Sequence, residues 1–219
     1  MDNKFRKPRV WSNSILKEMA HRFKGNIINV SGWKDQDKQG KYYRDYFTNL
    51  DTYNISNFVS EARGFQGNQE NEFFLDLQKP LEAKYNNKFD VVFNHTVLEH
   101  VFEVNQAFEN LCKLSKDIVI VVVPFLQEQH ADYGDYWRFT PLTLENLFKK
   151  NNKEMIYVNY NDNPGESIYV FAVGCSNRDN WHKITNLRSN KIGLNKFIGI
   201  NHIKNSIFTT ILYKLGIYR

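Results

Sequence analysis

Phe89-Asp90-Val91-Val92-Phe93-Asn94-His95-Thr96-Val97-Leu98-Glu99-His100 is an apolar run that ends abruptly in polar and ionisable residues. Such a run suits a buried strand, and the change to Asn, His and Thr marks its carboxyl end. Val97, Val101, Val104, Phe108, Leu111 and Cys112 then recur at helical spacing, so a crossover helix is expected before a second apolar strand, Asp117 to Val123, closed by Pro124. Strands joined by such a crossover are parallel. In open α/β sheets ligands bind outside the carboxyl ends of the strands. The chemistry is therefore sought at Asn94 and His95, and in His130 to Thr140 with its cluster Asp135-Tyr136-Trp137-Arg138-Phe139.

Working outward, Gly25 precedes the short apolar run Asn26 to Val30, a first strand entering the loop Ser31-Gly32-Trp33. Thr52 to Ile55 and Glu72 to Asp76 are expected as second and third strands. Pro141 to Lys150 reads as a helix, with Thr140 suited to cap it and Pro141 to its first turn. Met155 to Tyr160 and Ser167 to Val173 are then strands separated by Asn161-Asp162-Asn163-Pro164-Gly165, a strong turn signal. Alternating strands and helices with a closing hairpin predict a three-layer α/β sandwich over residues 1–180.

With 219 residues, 42% hydrophobic and 15% aromatic, the chain can bury one substantial core. Cys112 and Cys175 are too few for a disulfide scaffold, no apolar run reaches a membrane span, and Met1 to Pro8 lacks the apolar core of a signal peptide. A reduced, cytoplasmic protein is expected. Its net charge of +5 is unevenly placed: no Asp or Glu follows Asp179, whereas seven of the 29 basic residues do, so the first 179 residues carry 22 basic against 24 acidic side chains. The basicity belongs to the tail, which argues against a nucleic-acid binder. Residues 181–219 are expected to form a basic amphipathic helical tail with Phe197, Ile200, Ile203, Ile207, Ile211 and Leu215 on one face. Such a stripe packs on its own domain, on a dimer partner, or on an anionic membrane at the inner face.

Phe89-Asp90-Val91-Val92 followed by Val97-Leu98-Glu99-His100-Val101 resembles the fourth strand and following helix of class I S-adenosylmethionine-dependent methyltransferases, above all small ones of surface-polysaccharide gene clusters. Val123-Pro124-Phe125, His130 and Asp135-Tyr136-Trp137-Arg138-Phe139-Thr140-Pro141 resemble the same group. The resemblance spans roughly Asn26 to Gly174 and implies a Rossmann-like, mostly parallel seven-stranded sheet with an antiparallel last strand. It also implies a cofactor, S-adenosyl-L-methionine, bound by Asn29, Ser31, Gly32 and Trp33 after the first strand, Asn54 at the second, Asp76 and Leu77 at the third, and Asn94, His95 and His100 at the fourth. Asn54 stands where the family has a ribose-binding carboxylate, and the single Gly32 where it has a glycine-rich loop.

The acceptor implied by the resemblance is a small molecule, a hydroxyl of a sugar, nucleotide sugar or glycan. Displacement at the methyl needs reactants held in line, and a hydroxyl needs its proton removed, for which His95 and His130 are the candidates. Arg138 would hold a substrate phosphate or carboxylate, with Tyr136 and Trp137 either contacting substrate or anchoring their loop with Phe139. Trp33 lines the pocket or fills it, and His100 is a pocket or helix-face residue. Thr96-Val97-Leu98-Glu99 has the spacing of a capping box, which would make Glu99 structural. Two other classes stay open: a cofactor-free scaffold of this fold, and a metal-dependent hydrolase using His95, His100, His130 and Asp132. Because no HExxH-type spacing is present, no metal ligand is assigned.

Overall fold

The computed structural model describes residues 3–58, 64–65, 67, 70–130, 134–163, 165–185, 198–199, 207–208, 211–212 and 214–215. Seven strands form one sheet: β1 Gly25–Val30, β2 Leu50–Asn57, β3 Glu72–Phe74, β4 Phe89–His95, β5 Ser115–Leu126, β6 Glu154–Tyr160 and β7 Ile168–Cys175. Their order is β3-β2-β1-β4-β5-β7-β6. β7 runs antiparallel to both its neighbours and every other pair is parallel, as the resemblance implies. The winding reverses between β1 and β4, and in open α/β sheets ligands bind at the carboxyl ends of the strands at such a switch point.

Central strands are apolar on both sides because both faces of the sheet are covered. Successive side chains alternate: Val119, Val121 and Val123 of β5 join one core, and Ile118, Ile120 and Val122 the other. Helices α2 (Val104–Leu114) and α3 (Pro141–Lys150) close the first core with Ala107, Phe108, Leu111, Leu144 and Phe148. The expected cap of α3 is present, with Thr140 Oγ1 accepting the Thr143 N–H at 3.0 Å. The second core is closed by α1 (Asn3–Ala20), an addition to the elements expected from the sequence, through Ile15, Leu16, Met19 and Ala20. Beside it lies the β1–β2 connection, whose only regular turn is a 3-10 helix, Tyr43–Tyr46.

Several expected boundaries move. β2 runs on to Asn57, so Asn54, opposite Ile28, sits in mid-strand and its amide reaches the Asn71 carbonyl at 3.4 Å. It is not at the carboxyl end where a cofactor would lie. α2 starts at Val104 after a separate 3-10 turn, Leu98–His100, so Thr96 to Glu99 form no capping box. Thr96 instead adopts a left-handed φ of 51° and its hydroxyl accepts from Arg9. The body also continues past residue 180: Ile184 is fully buried and Trp181 donates through Nε1 to Asp117 at 2.8 Å. Pro164, Asp132 and most of the tail lie outside the described residues, and in the tail Ile207, Phe208, Ile211 and Leu215 are exposed. No helix among the described residues is long and apolar enough to cross a membrane.

Gly174 of β7 shows how closely the first core is filled, since a Cβ there would sit 2.4 Å from the Phe148 ring. Gly174→Ala should destabilise the protein by about 1–3 kcal/mol through overpacking. The measurement is the shift of the urea unfolding midpoint at unchanged slope.

Candidate functional site

The loop leaving β1 is held in a costly conformation. Ser31, Trp33, Asp35 and Lys38 have φ of 57°, 49°, 59° and 64°, the left-handed region that non-glycine residues adopt at about 1–2 kcal/mol each. Thr96 after β4 belongs with them, whereas the two other non-glycine cases, Asn87 and Asn152, carry a side chain that tolerates it. Such strain collects where a structure over-determines it. Here Asp35 accepts from Asn29 Nδ2 (2.7 Å), Tyr53 OH (2.6 Å) and Arg44 N (2.9 Å), while Asp37 accepts from Gln39 N, Lys41 N and Tyr46 OH. Asn57, at the end of β2, accepts from Trp33 N at 2.7 Å and donates to Glu72 at 2.5 Å. Gly32 is needed for close approach, because a Cβ would lie 2.5 Å from the Asn29 amide.

The polar pair ending β4 divides between the two faces of the sheet. Asn94 is fully buried; its Nδ2 donates to the Val30 carbonyl at 3.0 Å and its Oδ1 has no hydrogen-bond partner. His95 turns instead to the α1 side, packed near Tyr43 and Phe93, with Nε2 2.9 Å from Ser12 Oγ and Nδ1 3.2 Å from Thr96 Oγ1. Burial, with the nearby Arg9 charge, holds its pKa well below the usual range and keeps it neutral. With both ring nitrogens engaged in this way, His95 lies on the opposite face of the sheet from Asn94, so the two do not act as the expected pair. Arg9 donates to Thr96 Oγ1 at 2.9 Å, so α1 brings Arg9 and Ser12 to the carboxyl edge of β4.

A second cluster forms where the turn after β4 meets the loop after β5. Glu99 is fully buried, and neither carboxylate oxygen has a hydrogen-bond partner. Burial raises its pKa to about 8. His100 Nδ1 lies 2.6 Å from the Gly134 carbonyl and its Nε2 3.7 Å from Glu99 Oε1; burial lowers its pKa. His130 stacks edge-on to His100 at 5.0 Å between ring centroids, with Nδ1 3.2 Å from Asp135 Oδ2. The Glu99 carbonyl accepts the Tyr136 N–H at 2.7 Å, joining the two segments.

Arg138 does not reach for a substrate anion. Its Nη1 and Nη2 donate to both Asp135 oxygens (2.6 and 2.8 Å), and its remaining donors go to the carbonyls of Trp137, Glu128 and Gln127. Those bonds hold the Asp135 carboxyl down at about 2. Trp137 is an anchor too, donating from Nε1 to the carbonyls of Val101 and Phe102, and Tyr136 packs on Phe102. Leu77 is buried in the first core, and Asp76 stays at the carboxyl end of β3, accepting from Gln78 N and pairing with Lys79. A cavity of about 490 Å³ opens at the opposite, amino edge among Asn87, Lys113, Lys150, Asn152 and Lys153, and none of the candidate site residues lines it. Arg9, Ser12 and Glu99 are the members of this region that motif reading misses. The available signal was Ile15-Leu16 and Met19-Ala20 at helical spacing, which foretells α1.

No protein-family model and no curated protein matches the chain significantly. Solved structures do match in fold. A candidate methyltransferase from Bacillus halodurans C-125 superposes with a TM-score of 0.55 at 8% identity, over 74% of this chain and 97% of that one. Magnesium protoporphyrin IX methyltransferase from Synechocystis PCC 6803, with bound S-adenosylmethionine, gives 0.53 at 10% identity over 77% and 79%. The 1,6-didemethyltoxoflavin-N1-methyltransferase of Burkholderia thailandensis, with its substrate and S-adenosylhomocysteine, gives 0.53 at 12% identity over 76% and 80%. The chain has the Rossmann-like fold of these methyltransferases.

Arg138→Met leaves Asp135 buried without its partner and should cost about 3 kcal/mol at neutral pH. Because the folded carboxyl titrates at about 2, below its ordinary 3.8, the pair's contribution is complete above that ordinary value and is lost as pH falls through about 2. The stability gap between wild type and variant should therefore close over that interval, read from urea midpoints as a function of pH.

Proposed function

We propose that the protein is an enzyme that transfers a methyl group from S-adenosyl-L-methionine to a hydroxyl of a sugar, nucleotide sugar or glycan. The observation that carries this reading is the carboxyl end of β1 and β4 at the switch point, where left-handed Ser31 and Trp33 flank Gly32 and Asn94, bonded to the Val30 carbonyl, is buried with its Oδ1 unpartnered. The residues around it fit the cofactor. Phe58 and Phe74 expose aromatic faces 5.9 Å apart at the ends of β2 and β3, beside Asp76, a match for a nucleobase with an amino group. The Glu72 carboxylate, beside Asn57, supplies the acidic group that the carboxyl end of β2 lacks, in place of Asn54. Asn29 supports the loop through Asp35, and Ser31, Gly32 and Trp33 line it. When bound, S-adenosyl-L-methionine supplies a methyl group on an electrophilic sulfonium.

The chain's own part is to place the acceptor and manage its proton. Glu99, His100 and His130 face one point from two loops, and the acceptor hydroxyl is assigned there; His130 keeps its catalytic role, and His95 is reassigned to positioning Ser12 and Thr96. Proton removal of this kind contributes about 10²- to 10⁴-fold in rate. Arg9, at the carboxyl edge of β4, takes the anion-holding role expected of Arg138. The sugar acceptor rests on the resemblance around Val123-Pro124-Phe125 and Asp135 to Pro141. We assign the protein to the cytoplasm, with the exposed Ile207, Phe208, Ile211 and Leu215 giving the tail contact with an anionic membrane.

Calorimetric titration should show wild type binding S-adenosylmethionine and S-adenosylhomocysteine. Gly32→Ala, which displaces Asn29, should weaken both at least about tenfold through lost close approach. His130→Ala should lower turnover on a panel of nucleotide sugars by about 10²-fold with cofactor affinity kept. A wild-type protein that binds neither nucleoside is the cofactor-free scaffold instead. For the tail, the intact chain should float with anionic liposomes and one ending at Asn190 should not; equal flotation removes the membrane role.

A further inference from the structure

Three side chains with metal-ligating atoms converge beside the crevice. Glu99, His100 and His130 each offer an atom within 4.8 Å of the other two. We propose that these three bind one divalent transition-metal ion, zinc or a first-row neighbour, and that its open coordination positions receive the hydroxyl oxygen of the methyl acceptor. The acceptor clause rests on the methyl-transfer reading above, with His130 then acting as a ligand of the ion rather than as the base itself; the ion site stands on geometry alone and departs from the expectation of no metal ligand.

The first support is Glu99. Its carboxylate is wholly buried and both oxygens lack a hydrogen-bond partner. A wholly buried carboxyl group with neither oxygen hydrogen-bonded is costly to hold, and coordination of its ionised form to a cation is one of the few arrangements that relieves it. The second support is the tautomer of His100. A carbonyl only accepts, so the 2.6 Å contact with Gly134 places a hydrogen on Nδ1, and Nε2 is the ring nitrogen 3.7 Å from Glu99 Oε1. The third is the placement of His130: Asp135 accepts its backbone N–H at 2.8 Å, which holds its ring edge-on to His100 at 5.0 Å between centroids. A carbonyl behind an imidazole, as Gly134 is behind His100, orients a metal-bound ring.

The donor set narrows the ion. Two imidazoles and one carboxylate suit zinc, iron, nickel or cobalt; magnesium and calcium want oxygen alone, and copper(I) wants sulfur. Three protein ligands also leave a position open, the mark of a reactive rather than a structural centre. Bonds of about 2.0–2.1 Å in tetrahedral geometry put ligand atoms about 3.4 Å apart, so Glu99 and His100 are nearly in place and the cluster closes by side-chain rotation. The ligands sit on two loops clamped together by the Tyr136 N–H to Glu99 carbonyl bond, which restricts their separation.

The test uses the full chain, stripped with a chelator and titrated with Co²⁺ followed by visible absorption and with Zn²⁺ followed by calorimetry. Wild type should take up one ion per chain, develop ligand-field bands and gain thermal stability. Glu99→Gln keeps the volume and removes the charge; it should lose the bands and bind at least about 100-fold more weakly, beyond what loss of an outer-shell partner causes. Its far-UV circular dichroism should be unchanged, and a second variant, His130→Asn in the part-exposed loop, should show the same loss. Wild type without stoichiometric uptake, or variants that bind as tightly as wild type, would overturn the site. Ion uptake by a chain with no affinity for S-adenosylmethionine would keep the site and remove the acceptor role. Methyl transfer undiminished by chelation would overturn the site's role and leave the methyl-transfer reading standing.

Discussion

The Asp135 carboxylate, almost wholly buried, accepts two hydrogen bonds from the Arg138 guanidinium and one from the His130 backbone, and this arrangement sets the geometry of everything around it. A buried carboxylate is tolerated only when its oxygens are satisfied. Here the partners come from its own loop, so satisfying the charge folds the loop into one shape. That shape delivers His130 beside His100 and sends the Tyr136 N–H to the Glu99 carbonyl. Arg138 is spent internally, with all its donors committed, whereas Arg9, on α1, donates to Thr96 at the carboxyl edge of β4.

Two faces of one sheet contribute to the crevice in different ways. The face under α2 and α3 is a continuous apolar core, reaching from Phe89 through Val92 to the buried Asn94. On the other face the apolar packing of α1 gives way toward its start to Ser12 and Asn13, both buried, which bond to His95 and to the Asp37 loop. The helix is thus a core element at one end and part of the site's wall at the other. Neutral His95 is the hinge between these regimes: it packs like an aromatic residue and yet satisfies two hydroxyls.

Fold was legible because it depends on periodicity. The apolar runs of β4, β5 and β7 and the spacing around Phe108 read directly as a parallel pair with a crossover and an antiparallel return. Locations within the site were less legible, for separable reasons. Asn54 reads as the strand's end three residues short of Asn57, because β2 continues through Ser56 and Asn57, which carry no apolar signal. Glu99 fitted a capping box by spacing, but three intervening residues and a 3-10 turn delay the helix to Val104, which leaves the carboxylate buried. Arg138 had the right chemistry for an anion, and only the fold reveals that Asp135 and three carbonyls claim it. Alternation along a strand was the rule that should have separated Asn94 from His95.

The segment from Ser31 to Lys38 has one further consequence. Motif searches look for glycine after the first strand because glycine is the cheap way to reach left-handed backbone. This chain reaches it at Ser31, Trp33 and Asp35, with the energy supplied by the carboxylates of Asp35 and Asp37. Left-handed backbone is thus present here without the glycines that usually announce it. A pattern written in glycines would pass over a turn whose torsions are held by buried carboxylates instead.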